Sequence, residues 1–183
     1  IRRAFDESLE RMGLDHLDIV LMHDCEAHVK EAVESAFPVL AEYRSQGLIK
    51  AVGIGINHAE EALQIMKGTD LDIALIAGRY SLLDQISHRE LFPYALAHNI
   101  DISMGGVLNS GVLANPVAGA TYNYLPASDE IIARAAKIGE FLKARNIPLL
   151  AAALQFPLRH PAVTSVLTGP RTAAELLENV DAF

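Results

Sequence analysis

The stretch DIVLMHDCE, Asp18 to Glu26, runs through four apolar residues, Ile19 to Met22, and then stops at His23 and Asp24. An imidazole titrates close to neutrality, so a histidine at the mouth of a buried strand can hydrogen-bond a substrate oxygen and help move a proton. The same residue can also be no more than a polar strand end, and spacing alone leaves both readings open. The pattern recurs along the chain. AVGIGIN ends at Asn57, IDISMGGV carries Gly105 and Gly106, and VTSVLTG ends at Gly169, shortly before Arg171. Polar residues and glycines placed repeatedly after apolar runs point to a site assembled at strand ends.

The elements that must position these residues alternate. Ile1, Ala4, Phe5, Leu9 and Met12 fall at helical spacing, with Gly13 as a C-terminal stop. Strands are expected at 17–23, 51–57, 72–78, 100–107 and 163–169. An amphipathic helix is expected over 26–47, kinked at Pro38, because proline lacks the N–H and clashes with the preceding turn. Further helices are expected from Ala59 to Gly68, over 88–99, from Asp129 to Asn146, as a helical piece over 148–160, and from Arg171 to the end. A loop rich in proline, glycine and asparagine spans 109–128, and loops of that length are often functional. Apolar strands alternating with helices imply an α/β domain with a parallel sheet. An open doubly wound sheet and part of a (β/α)8 barrel both fit, and both gather chemistry at the carboxyl ends of the strands.

Composition removes several function classes. The 183 residues suffice for a single domain, 1–183, with a substantial core. A net charge of −8 without a Lys/Arg cluster argues against a nucleic-acid partner. No apolar run is long enough to span a bilayer, and no membrane partner is expected. The single cysteine, Cys25, excludes an internal disulfide framework and fits a reducing, cytoplasmic setting. GxGxxG after a first strand, GxxxxGK[ST], CxxC, HExxH and GxSxG are all absent. The GIG at Gly53 to Gly55 lies inside a strand and is a weak signal. No metal site is expected.

Five blocks, in order, resemble the aldo-keto reductase family. SLERMGLDHLDIVLMH is similar to that family's helix and histidine-ended strand. GLIKAVGIGIN, RYSLLDQ, VLNSGVL and TSVLTGPRTAAELLENV are similar to its later blocks. The resemblance spans essentially the whole chain. It implies a (β/α)8 TIM barrel of which this chain carries strands four to eight, with strands one to three upstream of Ile1. It also implies hydride transfer between NADP or NAD and a small-molecule carbonyl or sugar substrate. The family's catalytic set is an aspartate, a tyrosine, a lysine and a histidine. Only the histidine, His23, falls in this chain, so none of Tyr43, Tyr80, Tyr94, Tyr122 or Tyr124 is promoted to the acid.

The same resemblance assigns the cofactor contacts. Asn57 would hold the nicotinamide carboxamide, since an amide both donates and accepts; otherwise it is a turn asparagine. Ile56 stands where the family often has serine, and Ala77 where many members have glutamine. Gly105 stands where an aromatic ring usually stacks on the nicotinamide, and glycine allows close approach instead. Leu108 and Ser110 lie on the loop that follows the pyrophosphate. Gly169, Arg171, Glu175 and Asn179 would handle the adenosine end, with amide donors near a helix start and a guanidinium for phosphate or adenine. Glu175 in place of the family's frequent glutamine would accept from a free ribose hydroxyl and repel a 2′-phosphate, which fits NAD(H) use or dual specificity. Arg171 and Glu175 also sit four residues apart and could simply pair on the surface. These departures look like a bacterial branch that includes sugar (aldose, fucose, galactose) and pyridoxal dehydrogenases. A non-catalytic barrel that binds nicotinamide nucleotide as a subunit or sensor is the alternative reading.

Overall fold

A computed structural model describes residues 1–183. The chain opens with α1 (Arg2–Met12) and β1 (Leu17–His23). A broken helical stretch follows, made of a 3-10 turn (Glu26–His28), α2 (Val29–Glu31), a π turn (Ala32–Ala36) and α3 (Phe37–Ser45). Next come β2 (Ile49–Ile56), α4 (Ala59–Gly68), β3 (Ile73–Ala77), α5 (Leu91–Ala97) and β4 (Asp101–Gly105). After a short ladder of β5 (Thr121–Tyr122) and β6 (Leu125–Pro126), the chain ends with α6 (Asp129–Lys143), α7 (Leu149–Gln155), β7 (Val163–Val166) and α8 (Ala173–Asp181).

Local chemistry explains the breaks. Gly13 adopts φ 64° and closes α1, its N–H meeting Glu10 O while Leu14 N meets Leu9 O. The expected kink at Pro38 takes the form of the π turn just before it, which widens the helix where proline cannot donate. Ser128 caps α6 by accepting from Ile131 N, and Thr172 caps α8 by accepting from Glu175 N. The expected last strand is shorter than its apolar run, and Gly169 lies beyond it in irregular chain. The long loop is not shapeless. Asn123 and Tyr124 both take positive φ, 50° and 65°, and turn β5 back onto β6.

The main sheet has five parallel strands in the order β1-β2-β3-β4-β7. Spatial order follows chain order, without the reversal that defines a doubly wound sheet. This is the winding of a barrel, present as an arc. Its two faces differ. Val52, Ile54, Ile56, Ala74, Ile76, Ile102 and Met104 face the helices and join Leu40, Ile65, Phe92 and Leu154 in a core of 27 buried residues. The opposite face carries Leu21, His23, Gly53, Gly55, Leu75, Ala77, Ser103 and Gly105, which alternate with the first set. There Ser165 Oγ donates to Ser103 Oγ at 2.9 Å. A second cluster of Leu83, Val112, Leu113, Ala135 and Ala153 fastens the long loop to α6 and α7. Apolar side chains are exposed at both ends of the arc, including Ile19 on β1 and Leu167 after β7, and Leu177 and Val180 on α8. No helix is long and apolar enough to cross a membrane.

Close strand packing makes Gly53 sensitive to substitution. A Cβ there would collide with the Ile73 carbonyl oxygen and sit 2.7 Å from Leu21 Cδ2. Gly53→Ala is expected to lower stability by about 2 kcal/mol or more, as overpacking of a rigid core does. Urea denaturation followed by circular dichroism measures it, and an unchanged midpoint would contradict the packing described.

Candidate active site

The carboxyl ends of the sheet strands collect the residues expected at a site. His23 ends β1 opposite Gly55 of β2. A Cβ on Gly55 would stand 3.3 Å from His23 Cδ2, so the glycine leaves room for the imidazole on the uncovered face. The His23 side chain is 78% exposed and therefore open to a ligand. Its Nδ1 lies 3.4 Å from Asp24 Oδ2, and Asp24 adopts φ 48°, a left-handed turn directly after the strand.

Asn57 follows β2 and is held from three directions. Its N–H donates to Glu26 Oε1 at 3.1 Å, its carbonyl accepts from Arg79 Nε at 2.6 Å, and its Nδ2 donates to Asp24 Oδ1 at 3.3 Å. This leaves Asn57 Oδ1 without a partner in the protein. Burial opposes ionisation of Glu26. Hydrogen bonds from its own backbone and from Asn57, together with His58, outweigh that and hold its carboxyl below the usual range.

Gly105 ends β4 opposite Ala77 of β3. The following Gly106 has φ 59°, and a Cβ there would stand 3.0 Å from Gly78 N. Gly78, at φ 71°, donates to the Gly105 carbonyl. These three residues make a shallow cradle of bare backbone on the rim. Leu108 is half-buried and packs against both apolar clusters, which makes it a support for the loop. Ser110 takes φ 61° and is exposed. Its Oγ accepts from Tyr124 N at 3.0 Å, and its carbonyl accepts from Thr121 Oγ1. Ser110 thus ties the hairpin to the rim.

The adenosine-end residues stand differently. Gly169 lies in open space, where an added Cβ would meet nothing within 4 Å. Arg171 Nη2 lies 2.7 Å from Glu175 Oε1, and Arg171 N donates to Glu175 Oε2 at 2.7 Å. The surface pairing that spacing allowed is therefore present. Each partner stabilises the other's charge, so the Glu175 carboxyl lies below the usual range and the Arg171 guanidinium above it. Asn179 is buried on α8.

Three of the five tyrosines lie away from this rim, while Tyr122 and the exposed Tyr124 sit on the β5–β6 hairpin that Ser110 holds. Tyr43 lies in the covered core against Phe5, and Tyr80 packs on Phe92 and Phe156, where burial pushes its phenol up. Tyr94 stacks on His98. Sequence reasoning missed Asp24, Glu26 and Arg79. Arg79 was visible inside RYSLLDQ, but no spacing rule joins it to a residue 22 positions earlier. There is no group of three or more metal-ligating side chains.

The fit to a nicotinamide nucleotide can be judged on this geometry. A free amide oxygen at Asn57 and the cradle at Gly78, Gly105 and Gly106 suit a carboxamide and a flat ring, whereas the donors of Arg171 at the helix start are held by Glu175.

Comparison with known proteins places the chain in a family. The model of the Aldo/keto reductase family matches residues 1–183. Pyridoxal 4-dehydrogenase of Microbacterium luteolum is 38% identical over 191 residues, covering 98% of this chain and 56% of that protein. D-threo-aldose 1-dehydrogenase of a Pseudomonas species is 38% identical over 184 residues, covering 99% and 56%. The holo form of an aldo-keto reductase from Bacillus halodurans superposes with a TM-score of 0.78 at 23% identity, covering 98% of this chain and 57% of that one. The chain thus spans little more than half the length of these relatives, and its five parallel strands form part of a (β/α)8 barrel. By the family match over its whole length, the chain belongs to the aldo/keto reductase family.

Proposed function

We propose that the protein is an NAD(P)(H)-dependent oxidoreductase acting on a carbonyl or sugar substrate of the aldose or pyridoxal type. The observation that carries this reading is the placement of His23 and Asn57 side by side at the ends of β1 and β2, joined through Asp24. The dehydrogenase names of the two relatives at 38% identity support the substrate class. A nicotinamide held there supplies or accepts the hydride. Asn57 Oδ1 would accept from the carboxamide of that cofactor. His23 donates to the substrate oxygen from the uncovered face, where Gly55 gives it room, and polarises the reacting carbonyl. Asp24 restrains the imidazole without burying it. The bare backbone at Gly105 and Gly106 would allow a nicotinamide ring to approach the sheet closely.

Arg171 and Glu175 bear on the choice of cofactor. Glu175 is ionised at neutral pH, and its hydrogen bonds from Arg171 hold its pKa lower still. A carboxylate beside the ribose accepts from a free 2′-hydroxyl and repels a 2′-phosphate. NAD(H) is therefore the preferred form.

Two measurements test this reading. NAD+ and NADP+ reduction is followed by absorbance with aldoses and pyridoxal as substrates. His23→Ala is expected to lower kcat about a hundredfold while NADH binding is retained. Equal loss of NADH binding would make His23 structural. Separately, Glu175→Gln is expected to improve NADPH affinity relative to NADH by about fivefold, the scale of an exposed charge interaction. An unchanged ratio would remove Glu175 from cofactor choice.

A further inference from the structure

We infer that Arg79 is a positioning residue that sets the affinity for the nicotinamide half of the cofactor by clamping Asn57 through its main chain. The inference rests on the assignment of Asn57 to the carboxamide. Arg79 lies just after β3, yet its side chain reaches across to the end of β2. Nε donates to the Asn57 carbonyl at 2.6 Å, while Nη1 meets Asp84 Oδ2 at 2.9 Å. Both charged side chains are largely buried, at 17% and 19% exposure.

Such a pair is costly to bury and adds little net stability over apolar residues of the same volume. Its geometry yields a fixed orientation instead. A planar guanidinium that uses two edges on two partners has little freedom left. The anchor for this fork is itself immobile. Asp84 Oδ1 accepts from Ile86 N, and the Asp84 carbonyl accepts from Ser81 N. Ser81 Oγ accepts from the Leu83 and Asp84 amides and donates to the buried Asn109 Oδ1. Asn109 Nδ2 returns to the Gly78 carbonyl at 3.3 Å. One continuous hydrogen-bonded chain therefore runs from the end of β2 through the β3 loop to the loop after β4. It braces Asn57 and the glycine cradle as a unit. Both side-chain hydrogen bonds of Arg79 go to Asn57 and Asp84, so its effect is expected at the nicotinamide end of the cofactor.

That expectation supplies the test. NADH and ADP-ribose share the adenosine and pyrophosphate, but only NADH carries the nicotinamide. Their dissociation constants are measured by calorimetry for the wild-type protein and for Arg79→Met combined with Asp84→Asn. The double variant removes the clamp without stranding a buried charge. NADH binding is expected to weaken about tenfold, the scale of one charge-assisted hydrogen bond, with ADP-ribose within about twofold of wild type. If the double variant does not fold, Arg79→Lys keeps the charge beside Asp84 but loses the fork, and the same change in ratio is expected. Equal weakening of both ligands, or no change in either, overturns the clamp and leaves Arg79 a structural residue. Failure of the wild-type protein to bind either NADH or NADPH overturns the cofactor reading itself, and Arg79's role with it.

Discussion

In a parallel sheet, register decides which side chains share a face and where the strands finish. His23 pairs with Gly55 and Ala77 with Gly105, so the carboxyl ends of neighbouring strands lie together on one rim. A slip of one residue in β1 would turn His23 into the space filled by Met22 under the helices. It would also bring Met22 to the uncovered face. The core enforces the register because Val52, Ile54, Ile56, Ala74 and Ile76 have no exposure to give up. Tight glycine positions enforce it again, since Gly53 tolerates only the Ile73 backbone opposite it.

The rim that follows from this register is rigid in one part and loose in another. Asn57 is tied by an N–H, a carbonyl and a side-chain amide to three different residues. Little ordering remains to be done there when a ligand arrives, which is the advantage of preorganisation. The Arg171–Glu175 pair is the opposite case. It is exposed and screened by water, so rearranging the guanidinium toward a phosphate costs little.

The alternation of strands and helices was legible because its pattern is periodic, while the choice of a barrel over a doubly wound sheet came from the family resemblance and is borne out by a strand order that follows chain order. All five main strands and the helices between them follow from apolar runs and glycine or capping stops. The site was legible only where chemistry coincides with a strand end. His23, Asn57 and Gly105 each close an apolar run, and all three reach the rim. Gly169 did not keep its strand, because hydropathy continues past Val166 where pairing with β4 ends. The β5–β6 turn was hidden because Asn123 and Tyr124 form a two-residue hairpin inside what reads as loop. Arg79 was hidden for a different reason. Its role is a contact between the ends of two separate strands, and one-dimensional spacing carries no signal for that.

The chemistry this chain can contribute is set by which side chains face away from the helices. Tyr43 and Tyr80 are committed to the covered layer, where Phe5, Phe92 and Phe156 surround their rings. Ionising Tyr80 there is opposed by burial, so it is poorly placed to exchange a proton with a ligand on the other side of the sheet. The uncovered face offers an imidazole, an amide oxygen, hydroxyls and bare backbone. Those groups bind, orient and polarise. On the proposed reading, residues 1–183 therefore supply the frame that fixes the cofactor and the substrate oxygen, and the acid that the family resemblance assigns to a tyrosine must approach His23 from the same uncovered side.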